Sequence, residues 1–465
     1  MSSWSEVFGA SAVEQAKLVR EGQLSSEELV RLYLERIAIL NPRLSAFVQV
    51  FPKRALAAAR SKDSRRRRAR GELPAFHGVP IAIKDLNVVR WMPTRFGTRA
   101  TPHPTLPIDD RTVATLRRAG FVILGKLSTS ELGAMPVTEP DIHPPTRNPW
   151  APEHSAGGSS GGSGAAVAAA MLPVAQGSDG AGSIRIPAAF CHLVGLKPSR
   201  GRLKNQFGLK DRRVLYTSGA LTRTVGDAAA MLDVMAGLQE GRPHWAPRPP
   251  RPFRELAGEQ PRPMRIRFTT RSPIGATHPE IAVAVQRVAQ LLGELGHAVE
   301  EGPPHDGTLE EFLPLFQHLT AQIPLTRRSR LQPITRWLVE PGRALRARDM
   351  DALHARLEAR FQPLLAQAEL WVTPTVTQPP PLIGAVRDLP PAEAFAAAAQ
   401  LGAFTALANI TGQPAISLPL GLTTDGLPMG VQLAGALFTE GELLAVARQL
   451  EHAMPWKDRH PPELP

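Results

Sequence analysis

Three side chains stand where acyl-transfer chemistry could be done. Ser183 closes the run Gly177-Ser-Asp-Gly-Ala-Gly-Ser183, which continues as Ile184-Arg-Ile-Pro187. Gly180, Ala181, Gly182 and Ser183 are all small, and small residues let a backbone approach a ligand closely. Successive N–H groups in such a turn can form an anion-binding nest. A nest beside a hydroxyl offers a nucleophile and an oxyanion hole together. A structural glycine turn explains the same residues equally well. A serine hydroxyl also needs a base. No histidine near these loops has an evident partner, whereas Lys84 closes the apolar run Val79-Pro-Ile-Ala-Ile83. Burial there would disfavour the ammonium form and leave a neutral amine able to take a proton. The plainer reading of Lys84 is a surface lysine that snorkels.

Ser159 supports a rival. Gly157-Gly-Ser159-Ser-Gly161 fits Gly-x-Ser-x-Gly, the strand-to-helix elbow of the α/β-hydrolases. An elbow must follow a buried strand, and Asn148-Pro-Trp-Ala-Pro-Glu-His154 is not expected to form one. A serine esterase acting through Ser159 is therefore the minor reading. Phosphate-binding motifs fail: Gly125-Lys126 is followed by Leu127, and Gly162-Ser-Gly164 lacks a third glycine and a preceding strand. No His-Glu-x-x-His or clustered His/Asp ligand set stands out. The single cysteine, Cys191, excludes a disulfide framework and Cys-rich metal sites. No cofactor and no metal are expected.

The elements that must position these residues read as α/β. The chain has 465 residues, 43% of them hydrophobic and 21% charged, which is globular and long enough for a large core. Ser11-Ala-Val-Glu14 and Ser25-Ser-Glu-Glu28 fit capping boxes, and Asn41-Pro42 is read as the stop of the second helix. Strands are predicted over 46–51, 78–83, 121–124, 264–269, 298–301, 370–376 and 415–420. Helices are predicted over 112–119, 165–171 and 280–295. This alternation predicts a mixed, mostly parallel central sheet covered by helices on both faces. The Pro-rich stretch 241–263 reads as an exposed connection, and 309–363 as amphipathic outer helices.

The net charge is +12. Lys62, Arg65, Arg66, Arg67, Arg68 and Arg70 cluster without interleaved aromatics, so a solvated helix face is expected and no nucleic-acid partner. The N-terminus shows no signal peptide, and polar residues interrupt each uncharged stretch. The expectation is a soluble, cytoplasmic protein without a membrane span, a monomer or homodimer.

Taken together, the chain resembles the amidase signature family. The matching pieces are Gly78-Val-Pro-Ile-Ala-Ile-Lys-Asp-Leu86, Asn148-Pro-Trp150, Gly157 to Val167, Asp179 to Ala188 and Gly195-Leu-Lys-Pro-Ser199. Thr373-Pro374-Thr375, Asn409 to Ala415 and Gly426 to Gln432 match more weakly. The resemblance spans nearly the whole chain, read as one domain over 1–465. It comprises N-terminal helices over 1–60, a signature core over 75–235, and a C-terminal half over 264–465 that completes the sheet.

The family works through a Ser–cis-Ser–Lys triad, and the resemblance implies Ser183 as nucleophile, Ser159 as bridging serine and Lys84 as base. It implies an oxyanion hole from the N–H groups of Gly180, Ala181, Gly182 and Ser183. Asp179, Arg185 and Ser160 are expected to be structural, and Cys191 a buried thiol. Ala181 and His192 stand where glycine is common, and packing is expected of His192. The implied activity is hydrolysis of small-molecule amides, with esters or carbamates as further substrates, as in soluble bacterial amidases including nylon-oligomer and urethane-cleaving relatives. Phe312, Phe316, Leu319 and Trp337 point to an apolar or aromatic acyl group. The alternative within the family is a glutamine-dependent amidotransferase subunit of a tRNA transamidation complex.

Overall fold

The computed structural model describes residues 4–69, 71–203, 215–237 and 245–462. Arg70 and residues 241–244 of the Pro-rich stretch lie outside them. Both serine caps work as read. Ser11 and Ser25 accept from the N–H of Glu14 and Glu28, whose carboxylates bind back, at the heads of helices Ala12–Glu21 and Ser26–Leu44. The second helix does not stop at Asn41-Pro42. A proline interrupts only one turn of hydrogen bonds, and here that is the last turn. The Asn41 side chain instead pairs with both the N–H and the carbonyl of Phe47, tying the helix end to the first strand.

Three strands, β1 (Phe47–Val50), β2 (Pro80–Lys84) and β3 (Val122–Leu127), form one small sheet. A hairpin pairs β4 (Arg147–Asn148) with β5 (Ala151–Ser155). The main sheet comprises β6 (Val174–Asp179), β7 (Val194–Lys197), β8 (Thr217–Thr222), β9 (Arg265–Phe268), β10 (Ala298–Glu301), β11 (Leu370–Pro374), β12 (Ala415–Leu422) and β13 (Pro428–Gly435). Its order is β10-β9-β11-β13-β12-β7-β8-β6.

The sheet is mixed, but its majority is antiparallel. β9 runs parallel to β10 and β11, and the other five pairings are antiparallel. The reason lies in the connections. Helix Pro279–Glu294 crosses between β9 and β10, as parallel strands require, whereas β12 and β13 meet through the turn Thr423–Leu427. Helices pack on both sides, Arg185–Phe190 against β7, β12 and β13, and Pro279–Glu294 and Glu440–Ala453 against the β11–β13 region.

Two further expectations change. Within 245–263 the chain is not simply exposed: Phe253 is buried, with the Arg202 guanidinium 5.2 Å over its ring. Helices Leu309–Ala321 and Ala347–Leu365 are not merely outer; they wall the cavity described below. Arg65, Arg67 and Arg68 sit exposed in the last turn of helix Pro52–Arg68.

Candidate active site

β2 carries no polar side chain before its last residue, and every position of it is buried. The strand therefore draws Lys84 wholly into the interior. Its backbone N–H donates to Gln176 Oε1 at 3.0 Å, joining β2 to β6. Lys84 Nζ donates to Ser159 Oγ at 2.7 Å, Ser178 Oγ at 3.2 Å and the Ser178 carbonyl at 3.3 Å. Every contact is neutral. Burial pushes the ammonium pKa down to about 7, against the opposing charge of Asp179. The snorkelling surface lysine is excluded.

Ser159 follows a cis peptide bond from Gly158. The segment before it does contain a strand, contrary to the expectation: β5, Ala151–Ser155. It pairs with β4 and, through the bridge from His154 to Leu382, with the segment after β11, all outside the main sheet, and the Pro152 carbonyl accepts from the Arg147 side chain. Ser159 thus does not end a buried central strand, which an elbow requires. The helix after it begins at Gly161, earlier than the predicted 165, and ends at Ala168. Close packing selects glycine at this junction. A Cβ on Gly158 would lie 2.6 Å from the Met135 carbonyl oxygen.

Ser183 is partly exposed on the wall of a cavity. Its carbonyl accepts from the N–H of Ser160 at 3.2 Å, and Ser160 Oγ donates to the Ser178 carbonyl at 3.2 Å, so the two loops are stitched together beside Lys84. Among the described residues no direct hydrogen bond joins Ser159 to Ser183. The N–H of Gly182 is already committed, donating to Asp179 Oδ1 at 2.7 Å. The amides of Gly180, Ala181 and Ser183 have no acceptor among the described residues. Three of the four expected oxyanion donors are therefore available, and Gly182 is corrected to a residue that shapes the turn, at φ +123°.

Asp179 and Arg185 are completely buried and paired at 2.8 Å. Asp179 also accepts from the Ile184 N–H at 3.2 Å. Burial alone would raise its pKa, but the Arg185 charge and hydrogen bonds hold it far below the usual carboxylate range. Arg185 donates further to Gln432 Oε1 at 2.7 Å and Asn409 Oδ1 at 2.6 Å, and Asn409 Nδ2 returns to Asp179 at 3.0 Å. In the sequence Asn409 and Gln432 stand only at the ends of two of the weaker matching pieces, and neither is assigned to the site there. Removing one partner of a buried pair leaves an uncompensated charge. Arg185→Met is expected to cost about 3–5 kcal/mol in urea unfolding, and a loss below about 1 kcal/mol would show the pair to be dispensable.

The flanking residues are inert by geometry. Cys191 is buried, its thiol pushed up by burial and donating to the Ala156 carbonyl at 3.4 Å. His192 packs edge-on against Trp150 at 5.0 Å, with its pKa depressed to about 3 by burial. His305 reaches the cavity, but its Nδ1 accepts from Gly307 and its Nε2 donates to the Ala403 carbonyl. Of the apolar residues named from sequence, Phe312 and Phe316 line the cavity; Leu319 and Trp337 do not. Among the described residues no cluster of three or more His, Cys, Asp or Glu could hold a metal ion, and no helix is long and apolar enough to cross a membrane.

A family model described as Amidase matches residues 28–444. The chain is similar to 6-aminohexanoate-cyclic-dimer hydrolase of a Pseudomonas strain, at 36% identity over 97% of this chain and 96% of that protein. Its fold superposes on 6-aminohexanoate cyclic dimer hydrolase complexed with substrate, with a TM-score of 0.88 and 33% identity, covering 98% and 99% of the two chains. It also superposes on a bacterial aryl acylamidase, with a TM-score of 0.84 and 25% identity over 96% of each chain.

Proposed function

The chain belongs to the amidase family, and on that premise we propose that it hydrolyses the C–N bond of a small-molecule amide through an acyl-enzyme on Ser183. One observation carries this reading: a buried lysine, with its pKa brought down to about 7, bonded to the hydroxyl of Ser159 next to the Ser183 turn. In the first half-reaction Ser183 Oγ attacks the carbonyl carbon. Its proton passes by way of Ser159 to Lys84. The developing oxyanion lies against the N–H groups of Gly180, Ala181 and Ser183. The C–N bond then breaks as the proton returns to the leaving amine. Water attacks the acyl-enzyme by the same relay and restores Ser183. The open link between Ser159 and Ser183 closes as substrate binds, since catalytic hydrogen bonds are often long in unliganded enzymes. Esters and carbamates present the same carbonyl to the same nucleophile and are further substrates of this mechanism. Because Lys84, Ser183, Asn409 and Gln432 meet at one site, we read 1–465 as one domain.

Labelling with an alkyl fluorophosphonate, followed by peptide mass spectrometry, tests the assignment. The adduct is expected on Ser183. An adduct on Ser159 would sink it and revive the esterase reading.

A further inference from the structure

Resting on the Ser183 reading, we propose that the acyl group of the substrate is apolar and carries no carboxylate, so that amides of the glutamine type are poor substrates. The cavity beside Ser183 lies between two apolar clusters. Phe316 and Phe395 belong to one, Leu357 and Phe361 to the other, and Phe312 packs against both. Met135 and Pro136 close the side nearest the serine loops. A chain lying here exchanges water for hydrocarbon along its length.

The charges decide the rest. Apart from Ser183, only His305 and Glu311 among the described cavity-lining residues carry a titratable group. His305 is held neutral, one ring nitrogen accepting from the Gly307 N–H and the other donating to the Ala403 carbonyl. Glu311 already accepts from the Thr308 N–H and from the Arg360 guanidinium. Arg360 is itself shared with Asp306, at 2.9 Å. Among the described residues the rim therefore holds two carboxylates against one guanidinium, and no cation lines the cavity. A carboxylate on the acyl chain would lose its hydration and gain no partner among the described residues, which is costly. An α-amino-acid amide such as glutamine would meet the same wall, whereas a neutral aliphatic or aromatic acyl group meets matching surface.

The test compares two fluorophosphonates of equal chain length, hexyl and 5-carboxypentyl. Ser183 Oγ forms the P–O bond, fluoride leaves, and the serine proton goes to Lys84. The readout is the rate of Ser183 modification, so it does not depend on finding the natural amide. The carboxylate probe is expected to react at least about a hundredfold more slowly. Placing a cation in the wall with Phe312→Lys is expected to shrink that ratio by about tenfold. Equal rates for the two probes would overturn the substrate class while leaving the nucleophile in place. Reaction of neither probe would overturn the Ser183 reading itself. The wild-type pair decides even if the variant fails to fold.

Discussion

Ser183→Ala is expected to lower amide turnover by about 10⁴- to 10⁶-fold, the range seen when a serine nucleophile acting as part of a unit is removed. The fold should not register the change. The Ser183 side chain is partly exposed and makes no hydrogen bond to a described residue, so its loss falls within about 0.5 kcal/mol in thermal unfolding. That separation is diagnostic. Ser159→Ala removes an oxygen that Lys84 contacts at 2.7 Å in the interior, so it should lower activity and shift stability together. What activity remains in Ser183→Ala would come from the amides of Gly180, Ala181 and Ser183, since alanine keeps its N–H. Each such donor is worth about 3–4 kcal/mol of transition-state stabilisation. Retention of more than about a hundredth of the wild-type rate would assign the attack to another group.

The parts of this site that were legible in the sequence are those fixed by neighbours along the chain. Val79 to Ile83 are apolar, so a buried Lys84 was readable beside the commoner snorkelling lysine, and the structure decides for burial. Gly180, Ala181 and Gly182 precede Ser183, so a close-approach turn was readable. What escaped depends on partners far away. Nothing near Gly182 indicates that its N–H is taken by Asp179, because that requires the carboxylate to be locked by Arg185, Asn409 and Gln432. These partners lie over 220 residues downstream of Arg185 and read as ordinary polar residues in apolar runs. Strand direction escaped for the same reason. Alternation of strands and helices signals parallel pairing only where a helix crosses between neighbours, and that holds for β9 and β10 but not for the block from β13 to β6. The segment 309–363 shows amphipathic helices, but its role in walling the cavity depends on helices Pro391–Leu401 and Ala406–Ile410 packing opposite.

Lys84→Met should abolish the relay and, at mildly acid pH, make the protein more stable. Both results follow from the same buried group. In the wild type kcat/KM should rise with pH through about 7 and level off above it, because only the neutral amine accepts a proton. The sign of the stability effect follows from proton counting. The unfolded chain holds a lysine with its ordinary pKa of 10.5, whereas the folded chain holds one near 7. Between these values the unfolded state binds more protons, so wild-type stability rises with pH across that window. Below it the folded state bears the full cost of a buried ammonium, on the order of a few kcal/mol. Methionine has similar length and no charge, so it removes that cost. It also strips Ser159 and Ser178 of their contact with Nζ, which returns about 1–2 kcal/mol. The net gain in urea unfolding should be about 1–2 kcal/mol at pH 6 and should vanish toward pH 10. A pH-independent loss of stability in Lys84→Met, with flat wild-type activity between pH 6 and 8, would mean that the lysine stays charged and serves as an anchor. Loss of activity with a stability gain confined to low pH has one physical source, a lysine held in the interior for its neutral form.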